Sequence, residues 1–141
     1  MATLRRAYRQ PQAGSEGFAR TKKVFGIPIL GILAADVGTI NNQVACFMVP
    51  KDFVTTSINL TVPSLAASAL TLSIGDAANN ARFVSASNAG VAGGNINAFA
   101  AGGQYYQFLL DTEILLTVAA AGVTPAAGNI TNFYLEGFIG P

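Results

Sequence analysis

Asp111 and Glu113 stand one residue apart and are the nearest this sequence comes to an acid/base pair. On a β-strand, alternate residues share a face, so both carboxylates would point the same way. General acid/base work also needs a further functional group in a cleft beside them, and none follows from the surrounding residues. The chain has no histidine, which excludes an imidazole base, a Ser-His-Asp arrangement and a His-liganded metal. Asp111 and Glu113 therefore read as a solvated strand edge that resists pairing with other sheets. Cys46 is the single cysteine, set in the apolar run Val44-Ala45-Cys46-Phe47-Met48-Val49. It reads as a small buried hydrophobe, and one cysteine leaves no internal disulfide.

The remaining motifs give equally little chemistry. Gly26–Gly31 lacks the Lys-Ser/Thr of a phosphate loop, and Gly90, Gly93 and Gly94 do not link a buried strand to a helix. Asn59-Leu60-Thr61 and Asn129-Ile130-Thr131 fit the glycosylation acceptor pattern, a short motif that arises by chance in a chain rich in Asn and Thr. Tyr105, Tyr106 and Phe108, or Tyr134 and Phe138, would suit stacking on a sugar or single-stranded nucleic acid. Tryptophan is absent and the body of the chain is poor in basic residues, so these aromatics read as core or subunit-interface packing. The expectation is a protein that is no enzyme and takes no cofactor, no metal and no small-molecule substrate.

One feature points to a partner. Residues 1–23 carry Arg5, Arg6, Arg9, Arg20, Lys22 and Lys23 against Glu16 alone, a surplus of five positive charges. Residues 24–141 carry Lys51 and Arg82 against six carboxylates, a deficit of four. This divides the chain into an extended basic arm, 1–23, and a single mildly acidic domain, 24–141. The six basic residues of the arm are the candidate partner-binding residues. Lying along an acidic groove of a partner protein suits six charges spread over 23 residues; contact with nucleic acid phosphates is the second reading. The arm shows no helical or strand period, so alone it is expected to be disordered, and a neighbouring subunit would be the economical way to order it.

Composition supports an assembly. Only 11% of residues are charged while 51% are hydrophobic, against about 25% charged in an ordinary soluble domain. A surface this poor in charge is expected to be covered in part by neighbours. No membrane partner is expected, because the three long uncharged stretches, 53–75, 83–110 and 114–135, are interrupted by polar residues or glycine every few positions. Arg20-Thr21-Lys22-Lys23 followed by the apolar run 24–35 and Ala34-Ala35 has the outline of a signal peptide. Its leading region would be 23 residues long and Pro28 interrupts the run. The segment is therefore read as staying in the mature protein, as a buried strand or anchoring segment broken by Gly26, Pro28 and Gly31.

The elements have a period of two. Val54, Thr56, Ile58, Leu60 and Val62 alternate with polar residues until Pro63-Ser64, and Leu70, Leu72 and Ile74 alternate until Gly75-Asp76. Residues 82–87 form a weaker strand anchored by Phe83, after a loop or helical turn at 77–80. A long loop or run of turns covers 88–103. Gln104–Leu110 is aromatic strand material. Glu113–Ala119 is a strand with Ile114, Leu116 and Val118 on one face and Leu115 on the other. The last strand, Ile130–Ile139, presents Phe133, Leu135 and Ile139 on one face. With 43–49, short strands separated by Gly, Pro and Asn predict an all-β fold, an antiparallel sandwich or barrel of the jelly-roll kind with an extended N-terminal arm.

The block Leu70–Val84 (LTLSIGDAANNARFV), the strand Ile114–Val118 (ILLTV), the turn Thr124–Ile130 (TPAAGNI) and the final aromatic strand resemble small structural proteins of tailed-bacteriophage virions. In particular they are similar to capsid cement or decoration proteins. The resemblance covers Leu70–Ile139. It implies a homotrimer or similar oligomer bound across junctions of the major capsid protein, made in the host cytoplasm, located in the virion and not secreted. It brings no catalytic or ligand residues. A coat or other head or tail subunit whose arm contacts nucleic acid is the alternative, and a secreted pilus or adhesion subunit cleaved after Ala35 is a third.

Overall fold

A computed structural model describes residues 22–100 and 102–140. Arg5, Arg6, Arg9 and Arg20 lie outside the described residues, as does nearly all of the expected arm. Eight strands form two four-stranded sheets: β1 (Lys23–Ile32), β2 (Gln43–Val49), β3 (Phe53–Val62), β4 (Thr71–Gly75), β5 (Val84–Ser87), β6 (Gly94–Ile96), β7 (Thr112–Ala120) and β8 (Gly128–Ile139). One-turn helices α1 (Ala34–Val37) and α2 (Ala89–Ala92) sit in the connections.

The first sheet has the order β1-β8-β3-β6 and the second β2-β7-β4-β5, every pairing antiparallel. The pairs β1·β8, β2·β7, β3·β6 and β4·β5 are the rungs of one long hairpin with its apex between β4 and β5. Wrapping that hairpin around itself brings β8 beside β3 and β7 beside β4. This is the eight-stranded jelly roll, an open sandwich rather than a closed barrel.

The core lies between the sheets. Ile58, Leu60 and Val62 of β3, with Ile130, Phe133 and Leu135 of β8, face Leu72 and Ile74 of β4 and Ile114, Leu116 and Val118 of β7, all buried. Strict alternation would not place Ile130 and Phe133 on one face, since they are three residues apart. A bulge at Asn132, which has φ 53°, inserts the extra residue, and its carbonyl accepts a hydrogen bond from the Asn59 side chain. Relative to β8, β3 has one extra residue between Thr55 and Ser57 and one too few between Asn59 and Thr61. The two irregularities cancel, so both ends of the strand pair stay in register.

Bulges also decide Cys46. β2 gains a residue against β7 between Ala45 and Phe47. Cys46 and Phe47 consequently both turn inward, and the Phe47 ring meets Phe133 edge-on at 5.0 Å. Burial pushes the Cys46 thiol up to about 12, so at neutral pH it behaves as the small hydrophobe its setting predicts.

Three sequence expectations need correction. The segment 24–35 is not broken by Gly26, Pro28 and Gly31: residues 23–32 form one continuous strand. β1 lies at the edge of its sheet, where Pro28 has no ladder bond to lose. Gly26 lets β1 approach β8 closely, because a Cβ there would overlap the Phe133 carbonyl. The loop expected over 88–103 contains α2 and β6. Gln104–Leu110 is not a strand; it meets the start of β3 through one isolated bridge, Val54 to Gln107, and a few backbone hydrogen bonds, and otherwise runs as turns. Its aromatics leave no consistent alternation, since Phe108 is buried while Tyr105, Leu109 and Leu110 are exposed.

What holds the 97–111 connection down is Thr55. It is fully buried; its hydroxyl donates to the Gly103 carbonyl and accepts from the Tyr106 N–H, while its backbone exchanges hydrogen bonds with Tyr105 and Tyr106. Phe108 then seats between Phe53 (6.2 Å, stacked) and Phe83 (5.8 Å), and Tyr106 meets Phe108 edge-on at 5.1 Å. Such ring pairs contribute about 0.5–1.5 kcal/mol each beyond area burial. Substituting Thr55→Val keeps the shape but removes the hydroxyl, stranding the Gly103 carbonyl and Tyr106 N–H. It is expected to destabilise by roughly 1–3 kcal/mol in urea unfolding. Phe108→Ala should cost about 3–5 kcal/mol by the same measurement.

Candidate functional site

The described residues contain no group of three or more Cys, Asp or Glu side chains placed to hold a metal. Apart from Asp36, which accepts from the Leu33 N–H in the β1–β2 connection, their charged side chains fall into three places at one end of the sandwich. That end is built from the β2–β3 turn, the β4–β5 turn, the 97–111 connection, the C-terminal end of β8 and the first residues of β1.

The first place is Asp76, at the β4–β5 turn. Its carboxylate accepts from the backbone N–H groups of Ala78 (3.0 Å) and Asn79 (2.9 Å) and from the Arg82 guanidinium (2.8 Å). Arg82 also lies over the Tyr106 ring, 4.0 Å from its centre. Burial alone pushes the Asp76 carboxyl up; Arg82 and the two N–H groups outweigh it and hold the carboxyl below its usual range. Gly75 is required beside it, since a Cβ there would overlap the Asn79 carbonyl. The arrangement ties the hairpin apex to the 97–111 connection and leaves the carboxylate no free oxygen for a substrate.

The second place answers the expectation for Asp111 and Glu113. Both are exposed, as a solvated pair should be, but they do not act together. Asp111 accepts a hydrogen bond from the Lys51 N–H (2.8 Å) and so closes the β2–β3 turn against the end of the 97–111 connection. Glu113 lies opposite Met48 in the β2–β7 ladder.

The third place holds the two described members of the arm. Lys23 opens β1 opposite Gly137. Lys22 pairs with Glu136 at 3.1 Å, and Glu136 also accepts from the Ser57 hydroxyl at 3.0 Å. Lys22 and then Ser57 lower the Glu136 carboxyl from its usual value. Both partners are largely exposed, so this ion pair guides the chain path more than it stabilises the fold. The candidate residues Arg5, Arg6, Arg9 and Arg20 lie outside the described residues.

Sequence reasoning missed what lies between these charges. Leu109 and Leu110 are 73% and 72% exposed and Met48 is 56% exposed. Two shallow grooves lie to either side of Asp111 and Thr112. One, of about 250 Å³, is lined by Ala77, Ala78, Tyr106, Leu109 and Leu110; the other, of about 280 Å³, by Phe25, Met48, Val49 and Pro50. Adjacent exposed leucines are uncommon on a monomer's surface. In the sequence they merged with Phe108 into a plausible strand, and the Asp111-Thr112 turn signal after them was the only warning. A larger groove, of about 450 Å³, lies between the start of β3 and the 97–104 segment; its lining mixes polar Thr56, Ser57, Asn97 and Gln104 with Ala98, Phe99 and Ala100.

Comparison with known proteins gives a likeness of fold. A chain of the cyanophage Pam1 capsid asymmetric unit superposes with a TM-score of 0.69 at 20% identity, covering 99% of this chain and 99% of that one. A chain of the Ralstonia phage GP4 capsid superposes with a TM-score of 0.63 at 22% identity, covering 96% of this chain and 93% of that one. No protein-family model matches the sequence, and no curated protein matches it.

The Asp76 cluster gives a signed pH dependence. The folded carboxyl titrates below its unfolded value of about 3.9, so its contribution is fully present above that pH and is lost as pH falls through the folded value. Asp76→Asn is therefore expected to be less stable than wild type at pH 7, by roughly 1–3 kcal/mol. In urea unfolding the gap should narrow below pH 4; a gap independent of pH would mean that the carboxylate charge is irrelevant there.

Proposed function

We propose that this chain is a structural subunit of a bacteriophage virion, of the cement or decoration kind, binding across junctions of the major capsid protein and stabilising the shell. The observation that carries the reading is the jelly roll shared along nearly the whole chain with chains of two phage capsids. The resemblance in residues 70–139 to capsid cement proteins, found in the sequence, points the same way. The low charge content and the exposed leucines suit a surface covered by neighbours, and the titratable clusters are occupied with turns and ion pairs instead of facing a cleft.

On this reading the chemistry is mass action. A subunit that binds only the assembled lattice stabilises that lattice in proportion to the logarithm of its own concentration over its dissociation constant. Oligomerisation, with a homotrimer as the expected state, multiplies the contacts each assembly makes with the shell. The domain division at residue 23 and the partner role of Arg5, Arg6, Arg9, Arg20, Lys22 and Lys23 belong to this proposal. The arm contacts protein, the nucleic-acid reading being the alternative that the same experiment separates.

The test is co-sedimentation of the purified full chain with shells assembled from the major capsid protein of the same phage. The proposal expects saturable binding and shells that dissociate at a higher temperature when the chain is bound. A chain that stays in the supernatant at micromolar concentration overturns it. Binding to DNA at 50 mM salt that disappears with Arg5→Glu/Arg6→Glu/Arg9→Glu, without binding to shells, would favour the nucleic-acid alternative.

A further inference from the structure

Two separate grooves lie to either side of the consecutive residues Asp111 and Thr112, one lined by Leu109 and Leu110 and the other by Met48 and Pro50, and together they are taken as one apolar strip. Three carboxylates rim it. Asp111 closes the β2–β3 turn, Glu113 lies opposite Met48, and Asp52 donates its N–H to the Phe108 carbonyl immediately before Leu109. Lys51 is the nearby cation whose side chain has no carboxylate partner among the described ion pairs, because Arg82 is engaged by Asp76. The strip thus combines exposed leucines with a net negative border. Its complement is an extended segment that alternates apolar and basic side chains.

The sequence contains such a segment. Leu4-Arg5-Arg6-Ala7-Tyr8-Arg9 places two large apolar side chains among three arginines. We propose that this strip is the acceptor surface for residues 4–9 of a second copy of the chain, Leu4 and Tyr8 covering Leu109, Leu110 and Met48 while the arginines face Asp52, Asp111 and Glu113. The inference rests on the assembly reading above and supplies the surface on which the arm docks. Charge complementarity favours the arm: Arg5, Arg6 and Arg9 are three cations close together in the sequence, and the strip's rim carries Asp52, Asp111 and Glu113 against Lys51.

Chain length permits a second copy, and the assembly reading favours one over the arm's own domain. Residues 5–9 precede Lys22 by 13–17 positions, which extended chain converts to roughly 45–55 Å. Lys22 is anchored to Glu136 on β8, whose last residues pair with β3 beside the strip: Phe53 lies opposite Ile139, and the Gly140 N–H reaches the Asp52 carbonyl. The strip of the same domain is therefore close to where the arm leaves, and a domain of this size is only about 30–35 Å across. A segment of that length is long enough to reach the equivalent strip on a neighbour.

The test mixes two full-length variants. Leu109→Asp/Leu110→Asp has an intact arm and a spoiled acceptor; Arg5→Glu/Arg6→Glu/Arg9→Glu has an intact acceptor and a spoiled arm. In sedimentation velocity at low salt, each alone is expected to associate at least tenfold more weakly than wild type, and the two mixed are expected to associate again through the one remaining arm–acceptor pair. Thermal melting checks that both variants are folded, and Met48→Asp is a second acceptor variant on the other side of the strip. Wild-type association by the leucine variant and by Met48→Asp overturns the inference, as does loss in both variants without recovery on mixing, the outcome expected if the arm folded onto its own domain. Recovery on mixing with no binding to capsid shells would keep this inference and reject the cement reading, so the two fail separately.

Discussion

Phe108 seated between Phe53 and Phe83 is the contact on which the end of the molecule bearing Leu109 and Leu110 depends. The connection from β6 to β7 is long for a jelly-roll turn, and a segment of that length with no regular structure needs its own anchor. Thr55 provides the polar half of that anchor and the Phe53–Phe108–Phe83 stack the apolar half. Once Phe108 is fixed inward, the next residues have one way to go. Leu109 and Leu110 cross the open end of the sandwich toward Asp111, and their side chains are left outside because the core beneath is already filled by rings. The exposed strip is a consequence of a core contact rather than a loose loop.

The same end concentrates the domain's few charges. Each of the two partly buried or turn-forming carboxylates is committed: Asp76 to Arg82 and two backbone N–H groups, Asp111 to the Lys51 N–H. These interactions hold turns. Because turns from both sheets meet there, most of the described charges collect there as well, while the opposite end carries Asp36 and exposes Leu33, Ile40 and Val123. A domain with this distribution repels little and presents one end that is both apolar and acidic. That is a surface suited to lying against other protein chains.

Much of this was legible in the sequence, for reasons particular residues make clear. The alternation from Val54 to Val62 and from Leu70 to Ile74 marked β3 and β4 because one face of each is core and the other is polar. Glu113–Ala119 was recognised as β7, with Ile114, Leu116 and Val118 inward. Cys46 was read as buried from its apolar neighbours. The failures have physical causes too. Pro28 and two glycines suggested a break in β1, but an edge strand has ladder bonds on one side only and accommodates a proline on the other. Gln104–Leu110 has strand-like composition; its fate was decided by long-range contacts to Thr55, Phe53 and Phe83, which local pattern does not encode. Ile139 was expected inward with Phe133 and Leu135, but it lies at the end of β8, beyond the covering sheet, and is 40% exposed. The compensating bulges in β3 and β8 likewise leave no mark in the sequence beyond an asparagine at position 132.

The central claim is that this jelly roll is built to be a fixed part of a phage shell. Electron cryomicroscopy of phage shells assembled in the presence of this chain tests the proposal most directly, by showing neighbours and symmetry at once. The account predicts density for this two-sheet sandwich at junctions between major capsid subunits, with the end bearing Leu109 and Leu110 covered by another chain. Shells with every junction resolved and no density of this fold would contradict it.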